Sequence, residues 1–109
     1  SPMTDMLIVK AVSEAFEQAS KATKSFLSTH GDRDCCGFAW VVVKPANSKL
    51  AKYLKTLGAS NAYRGGVQVW NPSGHPTQAL TAKEEGAYAF AKVLRDRLGV
   101  WAYAESRMD

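Results

Sequence analysis

His30, Asp32, Asp34 and Cys35 crowd one short run, His30-Gly31-Asp32-Arg33-Asp34-Cys35-Cys36. Imidazole, carboxylate and thiol are the groups that hold transition metals, and with His75 they would make a His, Cys and carboxylate set. The spacing gives no paired-ligand motif, because neither CxxC nor HxxxH occurs. Four ligands would have to converge from a turn and a distant loop. Cys35 or Ser73 as nucleophile, with His30 or His75 as base, needs only hydrogen-bond reach, yet no motif brings such a pair together. A small metal- or cysteine-dependent hydrolase therefore ranks behind the binding readings. The expectation is of no catalytic residue, no metal and no cofactor. Vicinal Cys35 and Cys36 could close only a strained ring, so no structural disulfide is expected, and such usage suits a reducing compartment.

Three other groupings have the chemistry of binding. Asn71, Ser73, His75, Thr77 and Gln78 lie in a polar turn, residues 71–78, between a strand pattern and a helix start. Free amides and the positive end of the helix dipole there would suit an anion, although Asn-Pro and Ser-Gly are also plain turn chemistry. Lys49, Lys52 and Lys55 recur at helical spacing and form a basic ridge, with Arg64 following in the next loop. Trp70, Trp101 and Tyr103 fall on the mixed side of two alternating strands. They would form a stacking surface for single-stranded nucleic acid, part of the core, or a dimer interface, where Trp and Tyr are common. No RNP sequence, GXXG loop, Walker loop or GxGxxG run is present.

The elements that must position these groups follow from periodicity. Residues 4–28 place Ile8, Val12, Ala15, Phe16, Ala19, Thr23 and Phe26 on one helical stripe, with Thr4 as N-cap and Gly31 as stop. Residues 38–43 are continuously apolar and β-branched, which predicts a strand buried on both faces and ended by Pro45. Asn47 or Ser48 then caps a short helix stopped by Gly58. Val67 and Val69 alternate with Gln68 and Trp70 in a second strand. Thr81-Ala82-Lys83-Glu84 matches a capping box, and the helix it opens ends at Gly99. Residues 100–105 alternate as a third strand. The expected fold is thus α/β in the order α-β-α-β-α-β. Its three-stranded, mainly parallel sheet is packed by helices and built from two crossovers. Whether the long first helix joins the crossover helices or covers the opposite sheet face decides whether an aromatic face stays open.

At 109 residues the whole chain fits one domain, 1–109, with Ser1-Pro2 before Met3 looking like a cleavage-tag remnant. The hydrophobic fraction of 46% is ordinary for a globular protein, which argues against disorder. No apolar run approaches the roughly 18–20 residues needed to cross a bilayer. No secretory leader pattern opens the chain, so a cytoplasmic protein without a membrane partner is expected. The net charge of +4 lies entirely in residues 32–64, where six basic side chains face Asp32 and Asp34. Such a patch favours an anionic partner.

The run Gly65-Gly66-Val67-Gln68-Val69-Trp70-Asn71-Pro72-Ser73-Gly74, the helix at 79–98 and the ending Ala102-Tyr103-Ala104-Glu105-Ser106-Arg107-Met108-Asp109 resemble a group of small uncharacterised tailed-bacteriophage proteins. The resemblance spans about residues 35–109. It implies a protein acting in the cytoplasm of a bacterial host, where it binds a host component or a nucleotide signal. The leading expectation is a non-catalytic accessory binding protein, self-associating as a homodimer, whose ligand is a host protein or a phosphate-bearing, nucleotide-like molecule. The alternative is a single-stranded nucleic-acid binder using the aromatic sheet face.

Overall fold

The computed structural model describes residues 3–33 and 35–109, so Ser1, Pro2 and the candidate ligand Asp34 lie outside the described residues. The chain forms α1 (Asp5–His30), β1 (Gly37–Lys44), α2 (Lys49–Thr56), β2 (Ser60–Asn61), β3 (Val67–Trp70), α3 (Leu80–Leu98) and β4 (Trp101–Met108). Local chemistry sets most of the boundaries. The Leu7 amide donates to Thr4 Oγ1 at 3.2 Å to open α1, and Gly31, with φ 73°, closes it by donating to the Leu27 carbonyl. Ser48 caps α2 by accepting from the Ala51 amide at 3.1 Å.

The sheet corrects the expected topology. It has four strands in the order β2-β3-β1-β4, and every neighbouring pair is antiparallel. The element order is α-β-α-β-β-α-β, because an additional two-residue strand precedes β3. A parallel return after β1 would have to travel back along its eight residues, about 26 Å. The eight residues of α2 span only about 12 Å. The chain instead reverses through β2 and a glycine turn, so Val67 begins β3 opposite Val43, at the end β1 has just left. The second crossover does run the length of the sheet: α3 carries the chain from the Trp70 end to Trp101, which pairs with Lys44. β3 and β4 are therefore parallel to each other, with β1 inserted between them as in a split β-α-β unit.

The expected capping box does not form. α3 begins at Leu80 after Ala79, which makes no side-chain cap. Its start is fixed to the sheet instead, by a bridge between Cys36 and Ala79 and by the Leu80 amide donating to the Cys35 carbonyl. Glu84 accepts from Ser106 Oγ rather than reaching back.

One core joins all three helices to one side of the sheet. Ile8, Val12, Ala15 and Ala19 of α1, Leu50, Ala51 and Leu54 of α2, and Ala87, Phe90, Ala91 and Leu94 of α3 pack with Ala39, Val41, Val43, Val67, Val69 and Ala102. Phe90 is fully buried, with its ring edge-on to Phe16 at 4.9 Å; burial of such a side chain stabilises by roughly 1.5–3 kcal/mol. The first helix thus joins the other two, and among the described residues no helix covers the opposite face.

Candidate functional site

Strand alternation puts the large side chains on the uncovered face. Along β1, Ala39, Val41 and Val43 point to the helices, while Phe38, Trp40, Val42 and Lys44 point away. The antiparallel register then sets four rows across this face: Trp70, Trp40 and Glu105; Gln68, Val42 and Tyr103; and, between β1 and β4 alone, Phe38 and Arg107 at one end and Lys44 and Trp101 at the other. Trp40 and Trp70 stack with centroids 5.3 Å apart and planes 10° from parallel, and Phe38 lies 5.5 Å from Trp70. Trp70 is 50% exposed and Trp101 63%. β1 is therefore not buried on both faces as its composition predicts: Phe38 and Trp40 remain partly exposed.

Beside this row lies a depression of about 400 Å³ whose lining includes Trp40, Val42, Lys44, Gln68, Tyr103 and Glu105. Val42 is buried and forms the floor. The turn from Ala62 to Gly65, carrying Tyr63 and Arg64, makes one wall. That turn is held by the Ala62 amide donating to the Gly66 carbonyl at 2.9 Å. Gly66, at φ 83°, lies so close to β1 that a Cβ there would come within 2.5 Å of the Val43 carbonyl oxygen. Tyr63 stands 97% exposed at the rim. Lys44 Nζ sits 4.8 Å from the Trp101 ring centroid and 5.7 Å from that of Tyr103. At the other end, Trp40 Nε1 donates to Glu105 Oε1 at 3.2 Å. The site thus has an apolar floor, aromatic walls, two cations and one oriented carboxylate.

Most polar groups of the turn 71–78 are spent on its own conformation, the exception being His75 Nδ1, which is buried without a hydrogen-bond partner among the described residues. Asn71, at φ 43°, donates through Nδ2 to the His75 carbonyl, and Ser73 Oγ donates to Asn71 Oδ1 while accepting from the His75 amide. Thr77 Oγ1 donates to Asp32 and accepts the Ala79 amide, and Gln78 Oε1 accepts from the Cys36 thiol. The two backbone amides that open α3, at Ala79 and Leu80, are therefore already satisfied within the chain. Ser73 directs its proton to Asn71 and not to a histidine. Among the described residues, no three His, Cys, Asp or Glu side chains gather as a metal-holding group, His30, Asp32, Cys35 and His75 included. No disulfide joins Cys35 to Cys36.

Of the basic residues singled out in the sequence, Arg64 lines the depression, whereas Lys49, Lys52 and Lys55 do not. Lys49 faces Asp5 of α1 at 3.6 Å. Trp70, Trp101 and Tyr103 share the uncovered face with Phe38, Trp40, Lys44 and Glu105, which were not among the expected site residues. The missed signal was the alternation of small and large side chains in Phe38-Ala39-Trp40-Val41, which the continuous apolarity of the run concealed. A smaller depression of about 290 Å³ between α1 and α3 is lined by Leu7, Lys10, Ala11, Glu14 and Arg97. Its carboxylate and guanidinium are committed to each other at 2.7 and 2.8 Å, leaving mainly apolar surface. Among the described residues, no helix is long and apolar enough to cross a membrane.

No family model, curated protein or solved structure matches the chain.

Proposed function

We propose that the protein is a non-catalytic binding module that takes a phosphate-bearing, nucleotide-like ligand on the uncovered face of its sheet. One observation carries this reading: all three helices pack on one side, leaving a face where aromatic rings and two cations surround an apolar floor. A planar base gains by stacking on aromatic side chains, by about 1–3 kcal/mol per base. Lys44 and Arg64 supply the charge a phosphate needs. A polar patch with no stacking surface would suit a free anion, and an aromatic patch with no cation would suit an apolar partner. The tailed-phage resemblance agrees with a module that captures a nucleotide signal in a bacterial host.

Tryptophan fluorescence tests the reading directly, because Trp40, Trp70 and Trp101 all lie on the face. Nucleoside 5′-monophosphates should quench the emission saturably. Lys44→Gln and Arg64→Gln should each weaken binding by several-fold to about tenfold. Absence of quenching by mononucleotides and by short oligonucleotides alike would remove the proposal.

A second reading, single-stranded nucleic acid, is favoured by the extension of the aromatic row beyond the depression. Phe38 lies there with Arg107 5.4 Å and Lys83 5.1 Å from its ring centroid. It predicts that oligonucleotides bind much more tightly than monophosphates and that binding weakens steeply with salt. A homodimer closed over the same face is the competing occupant. It predicts twice the chain mass in solution and tryptophan emission indifferent to nucleotides.

A further inference from the structure

The two ends of the depression carry opposite charge, and this orders any nucleotide within it. Glu105 lies in the same row as Trp40, and Lys44 is four residues along β1 from Trp40, about 13 Å at ~3.3 Å per residue. A phosphate is repelled by the carboxylate and attracted by Lys44 and Arg64, so the base must lie at the Glu105 end, over Val42 and between Gln68 and Tyr103. The span suits a nucleotide lying along β1 with its base edge at Glu105. A cationic ligand is disfavoured there, since Lys44 already sits over the Trp101 and Tyr103 rings.

Glu105 is an acceptor and not a donor while ionised. Its Oε1 accepts the bond from Trp40 Nε1, and the side chain lines the depression, so its further acceptor capacity is available to a ligand there. Among the common bases, only guanine presents two adjacent donors on its Watson–Crick edge, the N1–H and the 2-amino group. Adenine and cytosine each pair one amino donor with a ring-nitrogen acceptor that faces the carboxylate unfavourably. Uracil flanks its single N–H with two carbonyls. Gln68, across the floor from Tyr103, offers an amide N–H to a base carbonyl such as guanine O6.

We infer that the depression is selective for guanine nucleotides, with Glu105 as the base-reading residue and Trp40 as the residue that positions it. This rests on the proposed nucleotide-binding function of the same face. The full chain is titrated with guanosine, inosine, adenosine, cytidine and uridine 5′-monophosphates, following tryptophan emission. Guanosine monophosphate should bind about tenfold more tightly than adenosine monophosphate, with inosine monophosphate, which lacks the 2-amino group, between them. Glu105→Gln keeps the side-chain volume and should lower guanosine monophosphate affinity about tenfold while changing adenosine monophosphate little. Trp40→Phe retains a stacking ring without the N–H and should narrow the preference in the same direction. Equal binding of all five nucleotides, or a preference that survives Glu105→Gln, would overturn the guanine assignment and leave nucleotide binding standing. Quenching by none of the five, and by no short oligonucleotide, would overturn both.

Discussion

Thr23 is the residue where polarity and close packing meet most sharply. It is fully buried on α1, yet its Oγ1 donates to the Ala82 carbonyl in the first turn of α3 at 2.7 Å. That bond satisfies a hydroxyl that burial would otherwise penalise, and it joins the two long helices where Gly86 lets them approach. Thr23→Val keeps the shape and removes the donor, so it should lower unfolding stability by about 1 kcal/mol in denaturant titration without altering nucleotide quenching. In the sequence Thr23 is one more member of an apolar stripe. Its role became legible only once α3 was seen beside it, because the acceptor is a backbone carbonyl 59 residues away.

At the scale of elements, two glycines decide how closely the parts can meet. A Cβ on Gly86 would lie 2.6 Å from Thr23 Oγ1 and 3.0 Å from Ser73 Cβ. In an isolated helix, alanine would be favoured over glycine by up to about 1 kcal/mol. Here Gly86→Ala should instead destabilise the protein by about 1–3 kcal/mol, because α1 and the turn over it must shift. Thermal denaturation would show this as a lowered midpoint. Gly66→Ala is strained by both its positive φ and its contact with Val43. It should displace the Tyr63–Arg64 turn and weaken nucleotide binding more than it lowers the melting temperature. β4 occupies a sheet edge, and Arg95 Nη1 donates to its Ala102 carbonyl at 2.9 Å, which helps guard that edge against pairing with another chain.

For the molecule as a whole, charge links folding to pH. Arg97 of α3 grips Glu14 of α1 with two hydrogen bonds, and this holds the Glu14 carboxyl below its ordinary range. Asp96 is lowered likewise by its hydrogen bond from Lys92. A carboxylate with a depressed folded value stabilises the fold fully above its unfolded pKa and loses that contribution as pH falls through the folded value. Stability should therefore decline on acidification through the carboxylate range. Glu14→Gln should flatten that decline, measured as the slope of the denaturation midpoint against pH. The effect is small because both pairs are exposed. The net charge contributes differently: the excess in residues 32–64 is divided between the α2 ridge, where Lys49 faces Asp5, and the sheet face, where Lys44 and Arg64 flank the depression.

The sequence alone determined the three helices, the cap at Thr4, the α2 cap to within Asn47 or Ser48, and the alternation that put Val67 and Val69 on one side and Gln68 and Trp70 on the other. These depend on neighbours within a turn or two, so local periodicity carries them. Strand pairing was decided elsewhere. Whether β3 and β4 lie side by side or flank β1 depends on how far α2 can carry the chain and on the reversal at Gly65 and Gly66, and neither leaves a periodic trace. The candidate site shared that fate. Its members Trp40, Lys44, Arg64, Gln68 and Glu105 come from three strands and a turn, and only the antiparallel register makes them neighbours. The openness of their face followed from one tertiary choice: α1 buries its stripe mainly against α3, in the core on the inner side of the sheet, leaving the outer face to its aromatic side chains.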